Sequence, residues 1–209
     1  MKQEDTKRKI MDAALALFSA KGYDAVSVGE IAAAVGIRAP SLYNHFAGKQ
    51  AIFDAIVEDT AKRYDEFTAR LSVHVGNAEG DVPVFDGIGE DVLVDKVKQI
   101  FRYSLHDPSV SAFRRLLTIE QFRSPALAAM YTERYVSRLV TYHQRLFERL
   151  IATGELVEED AGVLALIYVT PVLTLIGVCD RQPEREAECI EKLSAHVRLF
   201  YRTYHKKKN

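Results

Sequence analysis

The sequence predicts an all-α protein, with an N-terminal three-helix domain and a larger C-terminal helical domain. Three observations lead there. Apolar residues recur at three- and four-residue steps in segment after segment. Helix-starting and helix-ending residues bracket the first of these segments. The chain of 209 residues with 48% hydrophobic content can bury a substantial core, and its length suits one small domain plus one larger one.

The first helix follows from Ile10, Ala13, Ala14, Leu17 and Phe18, an apolar stripe ended by Lys21, Gly22 and Tyr23. The second starts at Ser27, whose hydroxyl can accept an orphan amide while Glu30, three residues on, reaches back to complete a capping box. Val28, Ile31, Ala32 and Val35 keep helical spacing, and Gly36 sits where a chain leaving a helix most easily takes a positive φ. In the third, Leu42 and Phe46 share one face, which puts Pro40, Ser41 and Asn44 opposite and Tyr43 on the flank. Pro40 is tolerated because the first turn of a helix has no internal amide bond to lose. Two short helices joined by a glycine turn, with polar and aromatic groups exposed on the second, have the build of a DNA-reading helix-turn-helix. The turn alone would suit an ordinary helical hairpin equally well.

Residues 49–71 predict a long helix with Ile52, Phe53, Ile56 and Val57 toward one end and Tyr64, Phe67 and Leu71 toward the other. Residues 72–90, with Gly76, Gly80, Pro83, Gly87 and Gly89 among acidic residues, predict a long loop. Further helices are expected at 91–105, 109–121, 125–153, 159–179 and 184–205. The last carries Ile190, Leu193, Val197, Phe200 and Tyr204 as a single apolar stripe that wants a partner helix. The expected boundary places a helix-turn-helix domain at 1–48 and an effector-binding and dimerisation domain at 49–209.

Residues 161–179 contain no charge and approach membrane-spanning length. Gly162, Thr170, Pro171, Thr174 and Gly177 within them, the acidic flanks and the lack of a second span favour a helix buried between a core and a subunit interface. No membrane partner is expected. The first 50 residues carry seven Lys and Arg against five Asp and Glu, +2, and the remainder 21 against 24, −3. That asymmetry has the sign expected of a nucleic-acid-binding head. Cys179 and Cys189 without a signal peptide suggest reduced thiols and a cytoplasmic protein. Neither cysteine has metal-ligand spacing, the six histidines are scattered, and no phosphate-binding loop or nucleophile elbow is present. Neither an enzyme nor a cofactor or metal site is expected.

Leu42, Tyr43, Asn44, His45, Phe46 and Lys49 resemble the end of the recognition helix in the TetR family of transcriptional regulators, and the resemblance spans roughly residues 6–60. It implies that Ser27, Tyr43, His45 and Lys49 meet sugar-phosphate while Arg38, Ala39, Pro40, Ser41 and Asn44 lie near the bases. Tyr43 and His45 could instead pack against neighbouring helices. Arg38 departs from the family, which more often places a small polar helix-starting residue there; its guanidinium could read guanine or hold a phosphate.

The resemblance further implies a homodimer through the last two helices, a palindromic operator in double-stranded DNA, and a small-molecule effector that releases it. The function expected is therefore a ligand-responsive regulator, most readily a repressor. The alternative keeps the DNA-binding head on a protein-interaction or nucleoid-organising body without an effector. Candidate effector-site residues are Phe101, Phe113, Leu117, Gln121, Phe122, Tyr142 and His143, joined by Tyr168, Thr170 and Thr174 around Pro171. Their chemistry suits a mostly apolar or aromatic ligand.

Overall fold

The computed structural model describes residues 2–206, and among them there are eleven α-helices and no strand. Among the described residues the one β-type pairing is an isolated bridge between Leu156 and His205. The chain divides into two compact units: residues up to 64 together with 107–131, and residues 65–106 together with those from 132 onward.

The first unit holds α1 (Lys2–Lys21), α2 (Val28–Val35), α3 (Ala39–Tyr43), most of α4 (Lys49–Arg70), α7 (Pro108–Glu120) and nearly all of α8 (Pro125–Thr132). Ile10, Ala14 and Phe18 are fully buried and Leu15 nearly so. Ala13 and Leu17, expected on the same stripe, are only half-buried. The buried face of α1 is turned because α7, distant in sequence, packs on it as well as α2. Phe18, Tyr23, Phe53 and Phe113 form a continuous ring cluster, with centroids 5.0–6.4 Å apart in tilted or edge geometry.

An ionic clamp ties three helices of this unit. Arg8 on α1 donates to Asp59 on α4 at 2.7 Å and to the Ser109 hydroxyl on α7 at 3.1 Å. Arg63 donates to the other Asp59 oxygen at 2.7 Å. Burial pushes the Asp59 carboxyl up, and the bonds from Arg8 and Arg63 more than offset it, leaving it below the usual carboxylate range. Asp107 caps α7 by accepting the amides of Ser109 and Val110.

The second unit contains the end of α4, α5 (Ala78–Phe85), α6 (Glu90–His106), α9 (Arg138–Ala152), α10 (Ala161–Arg181) and α11 (Glu186–Tyr204). Its main core gathers Leu93, Tyr142, Leu146, Phe147, Leu150, Leu164, Tyr168, Val197 and Phe200. A smaller cluster joins Phe101, Ile176, Cys179, Cys189 and Leu193.

Two expectations need correction. The 72–90 loop contains α5, which Asn77 caps by accepting the Gly80 amide. Its glycine and proline hide the helix because tertiary partners hold it: Asp81 is fully buried and accepts from the Tyr142 hydroxyl, the His74 amide and the His74 ring. The helix expected over 125–153 is interrupted by a π-turn, Glu133–Ser137, between α8 and α9. The helix expected over 159–179 is present as α10, with Pro171 inside an unbroken run of 21 helical residues.

Candidate DNA interface and aromatic cluster

The helix-turn-helix is built as its caps require. The Ser27 hydroxyl accepts the Glu30 amide at 3.2 Å, and the Glu30 carboxylate accepts the Ser27 amide at 2.9 Å. Lys21 pairs with Glu30 at 2.9 Å and, with the two bonds from Ser27, holds the carboxyl down at about 2. Gly36 takes φ +73° and its amide returns to the carbonyls of Ala32 and Ala33, so the chain reverses in one residue.

Arg38 then occupies the N-cap of α3 in extended backbone without a side-chain cap bond. Its guanidinium is exposed, as are Pro40, Ser41 and Asn44, while Ala39 is half-buried. Leu42 is fully buried and anchors the helix. Tyr43 is 56% exposed.

Three residues expected at phosphate are partly occupied by the fold itself. The Ser27 hydroxyl also donates to Glu30 at 3.0 Å, so a phosphate oxygen would have to displace that carboxylate. His45 is half-buried, with Nδ1 enclosed and without a partner, which leaves Nε2 as the nitrogen able to reach outward. Lys49, which the sequence gives little structural reason to place, has one: its ammonium donates to the carbonyls of Tyr23 at 3.0 Å and Asp24 at 3.4 Å and lies 4.5 Å over the Tyr23 ring. Lys49→Met should therefore lower the free energy of unfolding by about 1–2 kcal/mol in the absence of DNA, the range for lost charge-assisted bonds at a half-buried site. Tyr43→Ala should change it by no more than about 0.5 kcal/mol. Urea titration of both variants separates clamp from interface.

The ten residues expected around one effector are distributed over both units. Phe113 and Leu117 are fully buried in the first unit, where Phe113 packs on Phe53 at 5.9 Å. Gln121 caps α7 and donates its side-chain amide to the Thr118 carbonyl, and Phe122 is 88% exposed. Phe101 belongs to the smaller cluster of the second unit. Thr170 and Thr174 are exposed, and their hydroxyls donate to the carbonyls of Leu166 and Thr170 one turn back.

Tyr142, His143 and Tyr168 do come together. His143 lies 5.0 Å from the Tyr142 ring and 5.1 Å from Tyr168, with Phe147 and Phe200 against the same rings. Burial pushes His143 down to about 4, so the imidazole is neutral. Its Nδ1 lies 2.8 Å from the Leu139 carbonyl and carries the proton, which makes Nε2 an acceptor. Burial raises the Tyr168 phenol well above its usual value. Phe147, Phe200 and His196, whose Nε2 meets the Tyr168 carbonyl at 3.0 Å, complete this aromatic nest. Local spacing marked Phe200 only as part of a stripe and gave no sign of His196 or Phe147.

A capped helix-turn-helix on an all-helical body defines a class of DNA-binding regulators. Residues 10–56 match the family described as bacterial regulatory proteins, tetR family, and residues 91–206 match the AefR-like transcriptional repressor C-terminal domain. The chain belongs to the TetR family of transcriptional regulators.

It is 39% identical over 64 residues to the biofilm operon icaADBC HTH-type negative transcriptional regulator IcaR of Staphylococcus epidermidis, which covers 31% of this chain and 35% of IcaR. The chain thus matches about a third of that relative's length. Over nearly its whole length it shares a fold with SmeT in complex with triclosan, with a TM-score of 0.68 at 22% identity, covering 97% of this chain and 93% of SmeT. SmeT is the repressor of the Stenotrophomonas maltophilia multidrug efflux pump SmeDEF. The flavonoid-responsive regulator FrrA has the same fold, with a TM-score of 0.63 at 20% identity over 98% of this chain and all of FrrA.

Proposed function

We propose that the chain is a cytoplasmic repressor that binds palindromic operator DNA as a homodimer and is released by an uncharged aromatic effector. The observation that carries DNA binding is the outward face of α3, where Arg38, Ser41, Tyr43 and Asn44 are exposed on a helix pinned from behind by Leu42. In this reading residues 1–48 form the reading head and residues 49–209 the responsive body. Arg38, Ala39, Pro40, Ser41 and Asn44 face the groove; Tyr43, His45 Nε2 and the remaining Lys49 donor meet phosphate, and Ser27 acts mainly as a cap.

Dimerisation is supported by α10, the one helix among the described residues long and apolar enough to cross a membrane, of which only 28% of the most apolar stretch is buried. Val163, Leu166 and Ile167 are 40–52% exposed on it, and Leu199 on α11 is 67% exposed. A second copy placed on these helices would cover both and would fix the spacing of two recognition helices.

The effector reading rests on the nest of Tyr142, His143 and Tyr168. A neutral imidazole acceptor and a protonated phenol among aromatic rings suit a phenol-like molecule that donates one hydrogen bond. The fold likenesses to SmeT bound to triclosan and to a flavonoid-responsive regulator support this class. Fluorescence anisotropy on operator DNA tests both halves. Arg38→Ala and Tyr43→Ala should each weaken binding at least tenfold, and a phenolic effector should release the wild type but not His143→Leu. Release by highly charged metabolites alone would contradict the effector half.

A further inference from the structure

The two cysteines, unused by the reading above, are not isolated. Cys179 lies in the last turn of α10 and Cys189 in the first turn of α11, and both are buried in the same cluster with Phe101, Ile176 and Leu193. Their thiols are hydrogen-bonded to one another. Only residues 180–188 separate them, with the short 3₁₀ turn Pro183–Arg185 at the bend.

The two sulfurs differ in surroundings. Cys189 sits in the first turn of a 19-residue helix, near its amide end. The Arg185 guanidinium, held by Glu188 at 2.8 and 2.9 Å and by Gln182 at 2.8 Å, is within electrostatic reach of it. Cys179 lies at the opposite pole, the carbonyl end of α10. Burial above all, then the Cys189 sulfur and the charges of Glu186 and Asp180, push its thiol up to about 12.

We infer that Cys179 and Cys189 form a reversible dithiol–disulfide couple, in which Cys189 is attacked by hydroperoxides and Cys179 resolves the product into a bond linking α10 to α11. The Cys189 thiolate attacks one peroxide oxygen and the O–O bond breaks; with hydrogen peroxide the leaving hydroxide takes up a proton as water. The sulfur, oxidised by two electrons, becomes a sulfenic acid. The Cys179 sulfur then attacks it, the S–S bond forms and the S–O bond breaks. The departing hydroxide takes the Cys179 proton, so two thiols and one peroxide give one disulfide and two waters. The thiol–thiol hydrogen bond already places the resolving sulfur beside its target.

The test uses the full chain and hydrogen peroxide, and its readouts do not involve DNA, so they stand apart from the repressor reading. Intact mass should fall by two hydrogens, free thiols titrated after denaturation should disappear, and non-reducing peptide mapping should join the Cys179 and Cys189 peptides within one chain. Dithiothreitol should restore both thiols. In Cys179→Ser the reaction should stop at a sulfenic acid on residue 189, trapped by dimedone; Cys189→Ser should give no adduct. Two free thiols after peroxide in wild-type protein that circular dichroism shows to be folded would overturn the inference. So would a bond only between chains, or dimedone labelling of Cys179 in Cys189→Ser.

Discussion

Asp81→Ala should lower the free energy of unfolding by about 3–5 kcal/mol, the cost of breaking a fully buried, hydrogen-bonded charged group and stranding its partners. The carboxylate is 0% exposed and accepts three bonds: from the Tyr142 hydroxyl at 2.5 Å, the His74 amide at 2.6 Å and His74 Nδ1 at 2.7 Å. Removing it leaves the buried phenol without its acceptor and releases α5 from α9, the helix that carries His143. Asp81→Asn keeps the volume and one carbonyl acceptor, and should cost less than half as much. Urea unfolding followed by circular dichroism reads both. A change below about 1 kcal/mol in Asp81→Ala would mean that α5 is held by its apolar contacts and not by this carboxylate.

Acidification should destabilise the fold before any carboxylate is involved. His143 titrates at about 4 in the folded chain against an ordinary 6.5, because burial disfavours its charged form. A base with a depressed folded pKa binds its proton more readily when unfolded. Its contribution is therefore fully present above pH 6.5 and is lost as pH falls toward 4. The loss amounts to about 3 kcal/mol over that window. His205, lowered chiefly by burial against the pull of Glu155, acts in the same direction.

Glu30, Glu90 and Glu188 are held near 2, chiefly by bonds from Lys21, Arg202 and Arg185 respectively, and their contributions fade only below about 4.5. A fall in stability between pH 6.5 and 5 thus belongs to His143 and His205. In His143→Leu that slope should flatten. An unchanged slope would place the protonation elsewhere.

The head of the protein was legible because its signals are local. Ser27 with Glu30, Gly36, and the Leu42 anchor each act within a few residues, and each was found in its expected role. What escaped depends on partners distant in sequence. Leu15 is buried on α1 while Ala13 and Leu17 are half-buried, on a helix packed by both α2 and the distant α7. The helix α5 hid behind Gly80 and Pro83 because its stabilising bonds run from Asp81 to Tyr142, 61 residues away. Lys49 looked free because the carbonyls it clamps, those of Tyr23 and Asp24, leave no mark on a side-chain pattern. Residue type alone does not distinguish a core ring such as Phe113 from a ring in an aromatic nest such as Tyr168. Spacing identified Thr170 and Thr174 as polar groups near a proline, yet each spends its hydroxyl on its own helix.

The most direct test of the regulator account is selection of bound duplexes from a random DNA pool by the wild type, Arg38→Ala and Tyr43→Ala. The wild type should enrich a palindrome with half-site centres separated by about 34–36 Å or a multiple of it. Tyr43→Ala should lose overall affinity, and Arg38→Ala should lose affinity or relax the consensus. No enrichment, or a consensus recovered equally well by all three proteins, would contradict the assignment of α3 as the reading helix.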